Sequence, residues 1–160
     1  MRFCLIGVLL AALAGCDMRG AGPTEAERRA PEEAKVKVAK KRFAAFLTEA
    51  EKGLELLGKH PNHDALRGEV NKLHDLLNEA GDAAPSDEKM GDLSDEGRQL
   101  LRFFDACLKT ANYQARQKDS SPEKAQKAID WACNQNAGPI REMIEQLRAK
   151  NEEVGAKKEQ

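Results

Sequence analysis

The stretch VKVAKKRFAAFLTEAEKGLELL, residues 36–57, decides the fold. Val36, Ala39, Phe43, Phe46, Leu47, Ala50, Leu54 and Leu57 recur in it at steps of three and four. At about 100° per residue they form one apolar stripe about 100° wide, the pattern of a helix packed on one face. The helix is expected from about residue 31 to 57. Pro31 suits its first turn, Gly58 closes it and Pro61 lies beyond. Thr24-Glu25-Ala26-Glu27 matches a capping box, so a short helix could also begin there.

Three more segments repeat this pattern. Asn62 is a plausible N-cap for a second helix over about 63–80, with Leu66, Val70, Leu73, Leu76, Leu77 and Ala80 as its stripe and Gly81 as its end. Gly81, Pro85, Ser86 and Gly91 make residues 81–92 a loop or frayed turn. A third helix is expected over about 93–117, or from Ser86, with Leu93, Leu100, Phe104, Cys107, Leu108 and Ala111 inward. Phe103 falls at the core or its rim. Asp119-Ser120-Ser121-Pro122 is the turn that follows, with Ser121 as N-cap and Pro122 in the first helical position. The fourth stripe is Ala125, Ile129, Ala132, Cys133, Ile140, Met143, Ile144 and Leu147. Pro139 removes a backbone donor within it, so a kink or break is expected near Gly138-Pro139. Four amphipathic helices with short loops predict an all-α, antiparallel four-helix bundle over residues 31–150. Residues 151–160 read as a polar tail.

Composition narrows the function. The charged fraction is 33% and the formal net charge is −1, with both signs interleaved. Such a chain has no electrostatic footprint for nucleic acid, and no basic block for gripping anionic lipid through its surface. Aromatic content is 4%, too low to favour a site built on stacking.

The N-terminus sets an address. Arg2 is a positive n-region, and Phe3 to Ala14 form an uncharged apolar run too short to span a bilayer. Leu13-Ala14-Gly15-Cys16 follows at the depth of a processing site, and Asp17 and Arg19 end the apolar run. Together these residues resemble the lipobox of bacterial lipoproteins. The resemblance covers about the first 17 residues. It implies removal of residues 1–15, lipidation of Cys16 as the first mature residue, and a membrane reached through that anchor. Arg2 is the only charge in the removed segment, so processing would take the net charge one unit below −1. In enteric members of that family, an Asp directly after the lipidated cysteine marks retention at the inner membrane. Asp17 therefore favours the periplasmic side of the inner membrane over the outer membrane. Residues 16–30, with Gly20, Gly22 and Pro23, read as a flexible tether reaching on the order of 20 Å.

An exported address permits oxidation, and two cysteines remain beyond Cys16. Cys107 lies about 12 to 13 residues before the centre of the turn at 119–120, and Cys133 about 13 to 14 after it. Equal distances from a hairpin turn mean equal height, and the mismatch here is roughly 1.5 Å of helical rise. Both residues fall on the inward stripes, so a Cys107–Cys133 disulfide is expected, with buried free thiols as the alternative. A metal site would need more ligands, and no C-x-x-C or Cys–His cluster provides them.

His60, His63 and His74 are read as surface histidines. His63 and His74 lie about 16 Å apart along one helix, too far to share an ion. No cofactor or metal is expected. No activated serine, phosphate-cradling loop or paired carboxylates stand out, so the chain is not read as an enzyme. Trp131 is different. It points about 150° away from the fourth stripe, among Lys124, Lys127 and Gln135, and an exposed Trp is a typical interface anchor. The alternative is that the N-terminal segment or residues 81–92 fold over it. The expected function is a lipid-anchored, periplasm-facing helical module that binds another protein. An envelope spacer or oligomer is the alternative. Secretin pilotins and toxin-immunity lipoproteins offer an analogy of architecture only, since no motif of either is present.

Overall fold

The computed structural model describes residues 25–84, 86–117 and 121–154. The signal segment, Cys16 and Asp17 lie outside these residues. Four α-helices follow in chain order: α1, Glu25–Leu57; α2, His63–Ala83; α3, Glu88–Arg116; and α4, Pro122–Glu153. The described residues contain no strand, and the four helices pack as a bundle around one core.

The core follows the sequence periodicity closely. Phe43, Phe46, Leu47 and Ala50 of α1 are buried against Leu66, Leu73 and Leu77 of α2 and Leu100 and Phe104 of α3. Ile129, Cys133, Ile140, Ile144 and Leu147 of α4 complete it. The two inner phenylalanines of α1 meet with ring centroids 5.5 Å apart and planes tilted by 47°, a favourable arrangement of ring quadrupoles. Phe103 is partly buried at the rim.

Boundaries of the first three helices differ from the sequence expectation. Helix α1 begins at Glu25 and runs through Pro31. A proline removes only its own donor, and Pro31 to Lys35 are exposed, so water can serve the carbonyl it leaves free. Helix α2 passes Gly81 and ends at Ala83. Helix α3 starts at Glu88, because the Asp87 side chain accepts a hydrogen bond of 2.9 Å from the Met90 amide and Met90 is buried in the first turn.

Of the kink or break expected near Gly138-Pro139, the break does not occur, and α4 is one helix across that point. Two features explain this. Gly138 has no Cβ to collide with the Pro139 ring, which is the clash that usually ends a helix before proline. Cys133 and Ile140 are seven residues apart, two turns along one buried stripe, so packing on both sides holds the same helix face inward. The helix also reaches past residue 150. Asn151 and Val154 are buried, and Lys40 of α1 donates to the Val154 carbonyl.

Polar pairs fix the register between helices. Glu49 of α1 is 7% exposed and accepts hydrogen bonds from Lys72 of α2 and, at 2.9 Å, from Lys52. Lys72 first and Lys52 second hold the Glu49 carboxyl below the usual carboxylate range. Its neighbour Glu69 is pushed the other way, first by burial and then by the Glu49 charge. His74 of α2 lies 3.6 Å from Asp105 of α3, Lys150 of α4 donates to Glu96 of α3 at 2.6 Å, and Arg148 meets Glu51 of α1 at 2.8 Å.

Candidate functional site

The α1–α2 turn, the last turns of α3 and the first turns of α4 converge on one end of the bundle. His60 sits in the turn with φ of 53°, the only residue other than glycine at positive φ among those described. A side chain pays for that left-handed conformation. Two contacts offset the cost. His60 Nδ1 lies 2.9 Å from Asp130 Oδ2 on α4, and Gln126 Nε2 donates both to Asp130 Oδ1 at 2.8 Å and to the Pro61 carbonyl at 3.3 Å. Burial pushes the Asp130 carboxyl up. Hydrogen bonds from Gln126 and His60 outweigh that effect and hold it below its ordinary value. His63, two residues past Pro61, ties the same turn to α3, with Nε2 2.6 Å from Asn112 Oδ1.

His60 lies at the surface as expected, its side chain 73% exposed, and His63 is half-buried at 22%; both also join separate elements. Their contacts join positions 70 and 49 apart in sequence, which no local pattern could signal. Separating the two roles of His60 gives a measurable expectation. His60→Gly keeps the turn without strain, whereas His60→Ala keeps the strain and loses the Asp130 contact. In urea melts the glycine variant is expected to be the more stable by about 1 kcal/mol. Equal stability would show that the φ value carries no cost.

Trp131 follows Asp130 directly, about 100° further round α4, and is 67% exposed. Among the described residues, Tyr113 of α3, 61% exposed, is the other large aromatic side chain on the surface. Lys124, Lys127 and Gln135 are exposed around Trp131, as its position on the helix requires. The 81–92 region does not cover it, since Ala84 and Met90 pack into the core between α2 and α3. The N-terminal segment lies outside the described residues.

Cys107 and Cys133 are both fully buried, at 0% and 1% exposure, and carry free thiols. The two side chains hydrogen bond to each other. That contact, followed by burial, pushes the Cys107 thiol far up, and the same contact lowers Cys133. Cys107 Sγ also lies 3.7 Å from the Ala132 carbonyl. Helices α3 and α4 therefore bring the two sulfurs together at the height anticipated from the turn.

Among the described residues, no group of three His, Cys, Asp or Glu side chains is placed to hold a metal ion. No described helix is long and apolar enough to cross a membrane. Two open clefts lie near the other end of the bundle. One, of about 270 Å³, is bordered by Leu93, Val154 and the Lys150–Glu96 pair, and the other, of about 300 Å³, by Leu77, Met90 and Ser94. No protein-family model, curated protein or solved structure matches the chain.

Proposed function

We propose that this protein is a lipid-anchored helical module that faces the periplasm and binds another protein through the outer face of α4. One observation carries the proposal. Trp131, the only tryptophan of the chain, is spent on solvent at 67% exposure, although a tryptophan buries more apolar area than any other side chain. The lipobox residues Leu13-Ala14-Gly15-Cys16 support the anchor at Cys16, and Asp17 supports the inner membrane. The lack of any described membrane-crossing helix is compatible with attachment by lipid.

In this reading the four helices alternate in direction. The pairs Arg42–Glu79, Glu49–Lys72, His63–Asn112, His74–Asp105, Cys107–Ala132 and Glu96–Lys150 support that arrangement, since one number rises as the other falls. A bend at Pro139 is supported by its missing donor. The proximity of Cys107 and Cys133 supports a disulfide in the exported protein. A spacer role draws on a different feature: α1 exposes Pro31 to Lys35 before it joins the core at Ala39.

Crosslinking in intact envelopes discriminates the two. Wild type is expected to give a discrete adduct that falls at least about tenfold in Trp131→Ala, the scale of a tryptophan anchor. The adduct is also expected to be lost when Cys16→Ala releases the protein from the membrane. An unchanged adduct pattern in Trp131→Ala would reject the binding face.

A further inference from the structure

Cys107 and Cys133 meet each other inside the core, at 0% and 1% exposure, and neither borders the two clefts described above. Their polar contacts lie within α3 and α4. Cys107 Sγ faces the Cys133 thiol, the Asn136 side chain and, at 3.7 Å, the Ala132 carbonyl. Asn136 is itself held in place, since its Nδ2 donates to the same Ala132 carbonyl at 2.7 Å. Their cover comes from the rest of the bundle. Both thiols share one core with Phe43 and Ala50 of α1 and with Leu66 and Val70 of α2. Phe104, one turn before Cys107, presses on α1 so closely that a Cβ on Gly53 would lie 2.9 Å from its ring.

Joining two thiols requires an oxidant, here one of the disulfide class. One cysteine thiolate attacks a sulfur of the donor disulfide, forming a mixed disulfide and releasing the donor's first thiolate. The second cysteine then attacks the mixed disulfide, forms the Cys107–Cys133 bond and releases the donor's other half as a thiolate. Two protons leave the cysteines and two electrons pass to the donor. The intermediate carries half of the donor on one of these side chains. A core at native packing density has no room for an added group of several heavy atoms. The closed bundle therefore accommodates both thiols, or the bond, but not the species between them.

We propose that the packed bundle is a redox seal: the Cys107–Cys133 bond forms on α3 and α4 before α1 and α2 cover them, and the folded protein then keeps the redox state in which it closed. Helices α3 and α4 supply what the step needs, because the contacts that bring the sulfurs together are their own. Chain order favours the same sequence of events. Cys107 and Cys133 are 26 positions apart, whereas Phe104 and the Gly53 that it covers are 51 apart, and the shorter loop closes at lower entropic cost.

The inference rests on the disulfide of the proposed function but fails separately from it. The full chain is reduced, freed of reductant and mixed with oxidised glutathione, and the peptides that hold Cys107 and Cys133 are followed by mass spectrometry. In the folded protein the bond is expected to form at least about a thousandfold more slowly than when the same oxidant is present while the chain refolds from urea. Below the unfolding midpoint the rate is expected to climb exponentially with urea, since each increment favours the open state. Gly97 packs against Leu77 of α2 and Phe43 of α1, so Gly97→Val loosens α3 from both. That variant is expected to oxidise about thirtyfold faster than wild type. Arg141→Ala, at an exposed position of α4, is expected to oxidise at the wild-type rate.

Oxidation of the folded protein within about tenfold of the refolding rate would overturn the seal, as would a rate that does not respond to urea. Mixed disulfide with glutathione accumulating on either cysteine in the folded protein would overturn it as well, by showing that the core admits the intermediate. If Gly97→Val does not fold, the urea series on wild type decides alone. Two free thiols in protein recovered from the envelope would reject the disulfide of the proposed function, while slow, urea-dependent oxidation of the same chain would still support the seal.

Discussion

If the protein is exported and Cys107 and Cys133 pair as proposed, reduction is expected to lower its stability to urea by about 3–4 kcal/mol. Cys107 and Cys133 are 26 positions apart, and closing a loop of that length removes this much chain entropy from the unfolded state in the loop-closure model. The native side adds little strain, because the two side chains already meet within the core. Their ionisation also suits bond formation. Cys133 is lowered by the hydrogen bond from Cys107, so it ionises more readily than its partner and is the sulfur expected to attack a disulfide donor. The control is Cys107→Ala with Cys133→Ala, which is expected to respond equally with and without reductant. That variant separates the loss of the crosslink from the loss of two buried side chains. Thiol trapping followed by a non-reducing gel reads the bond directly. Two free thiols in protein recovered from the envelope would end the proposal.

The approach of Cys107 to Cys133, though not a bond between them, could be read from sequence because a hairpin converts distance from the turn into height, and periodicity supplies the inward face. The same logic made the core legible: Phe43, Phe46, Leu73, Leu100, Phe104 and Leu147 all lie where steps of three and four put them. It also placed Trp131 about 150° from its stripe, outside the core, while leaving open whether another segment covers it. What periodicity missed was contact chemistry. Pro139 reads as a break locally, but the cost is small beside the packing of Cys133 and Ile140 on one face, and Gly138 removes the usual clash. Glu49 reads as a solvated charge, yet its partner Lys72 lies 23 residues away and holds it at 7% exposure. His60 gains its role only when Asp130 arrives from another helix. Each miss is a property of two distant residues, to which a local pattern is blind.

Gly97 is the sharpest case of that blindness, and Gly97→Val is expected to destabilise the bundle by about 2–3 kcal/mol. By intrinsic propensity a glycine inside a helix is a defect, and filling it should help by up to about 1 kcal/mol. The packing reverses this sign. A Cβ on Gly97 would lie 2.7 Å from Leu77 Cδ1 of α2 and 3.2 Å from Phe43 Cε2 of α1. Leu77 is 3% exposed and Phe43 is fully buried, so neither can swing into solvent to make room. A branched side chain would have to push α3 away from both helices at once, opening the core that Leu100 and Phe104 fill one and two turns further on. Gly68 of α2 supplies the contrast, since a Cβ there meets nothing within 4 Å. Gly68→Ala is therefore expected to raise stability by about 0.5–1 kcal/mol, with propensity acting alone. Paired urea melts of the two variants test the assignment of sign. A Gly97→Val protein as stable as wild type would mean that α2 and α3 do not approach each other closely at this level. Stabilisation by Gly68→Ala alongside loss by Gly97→Val would locate that close approach at Gly97, on α3 between Phe43 and Leu77.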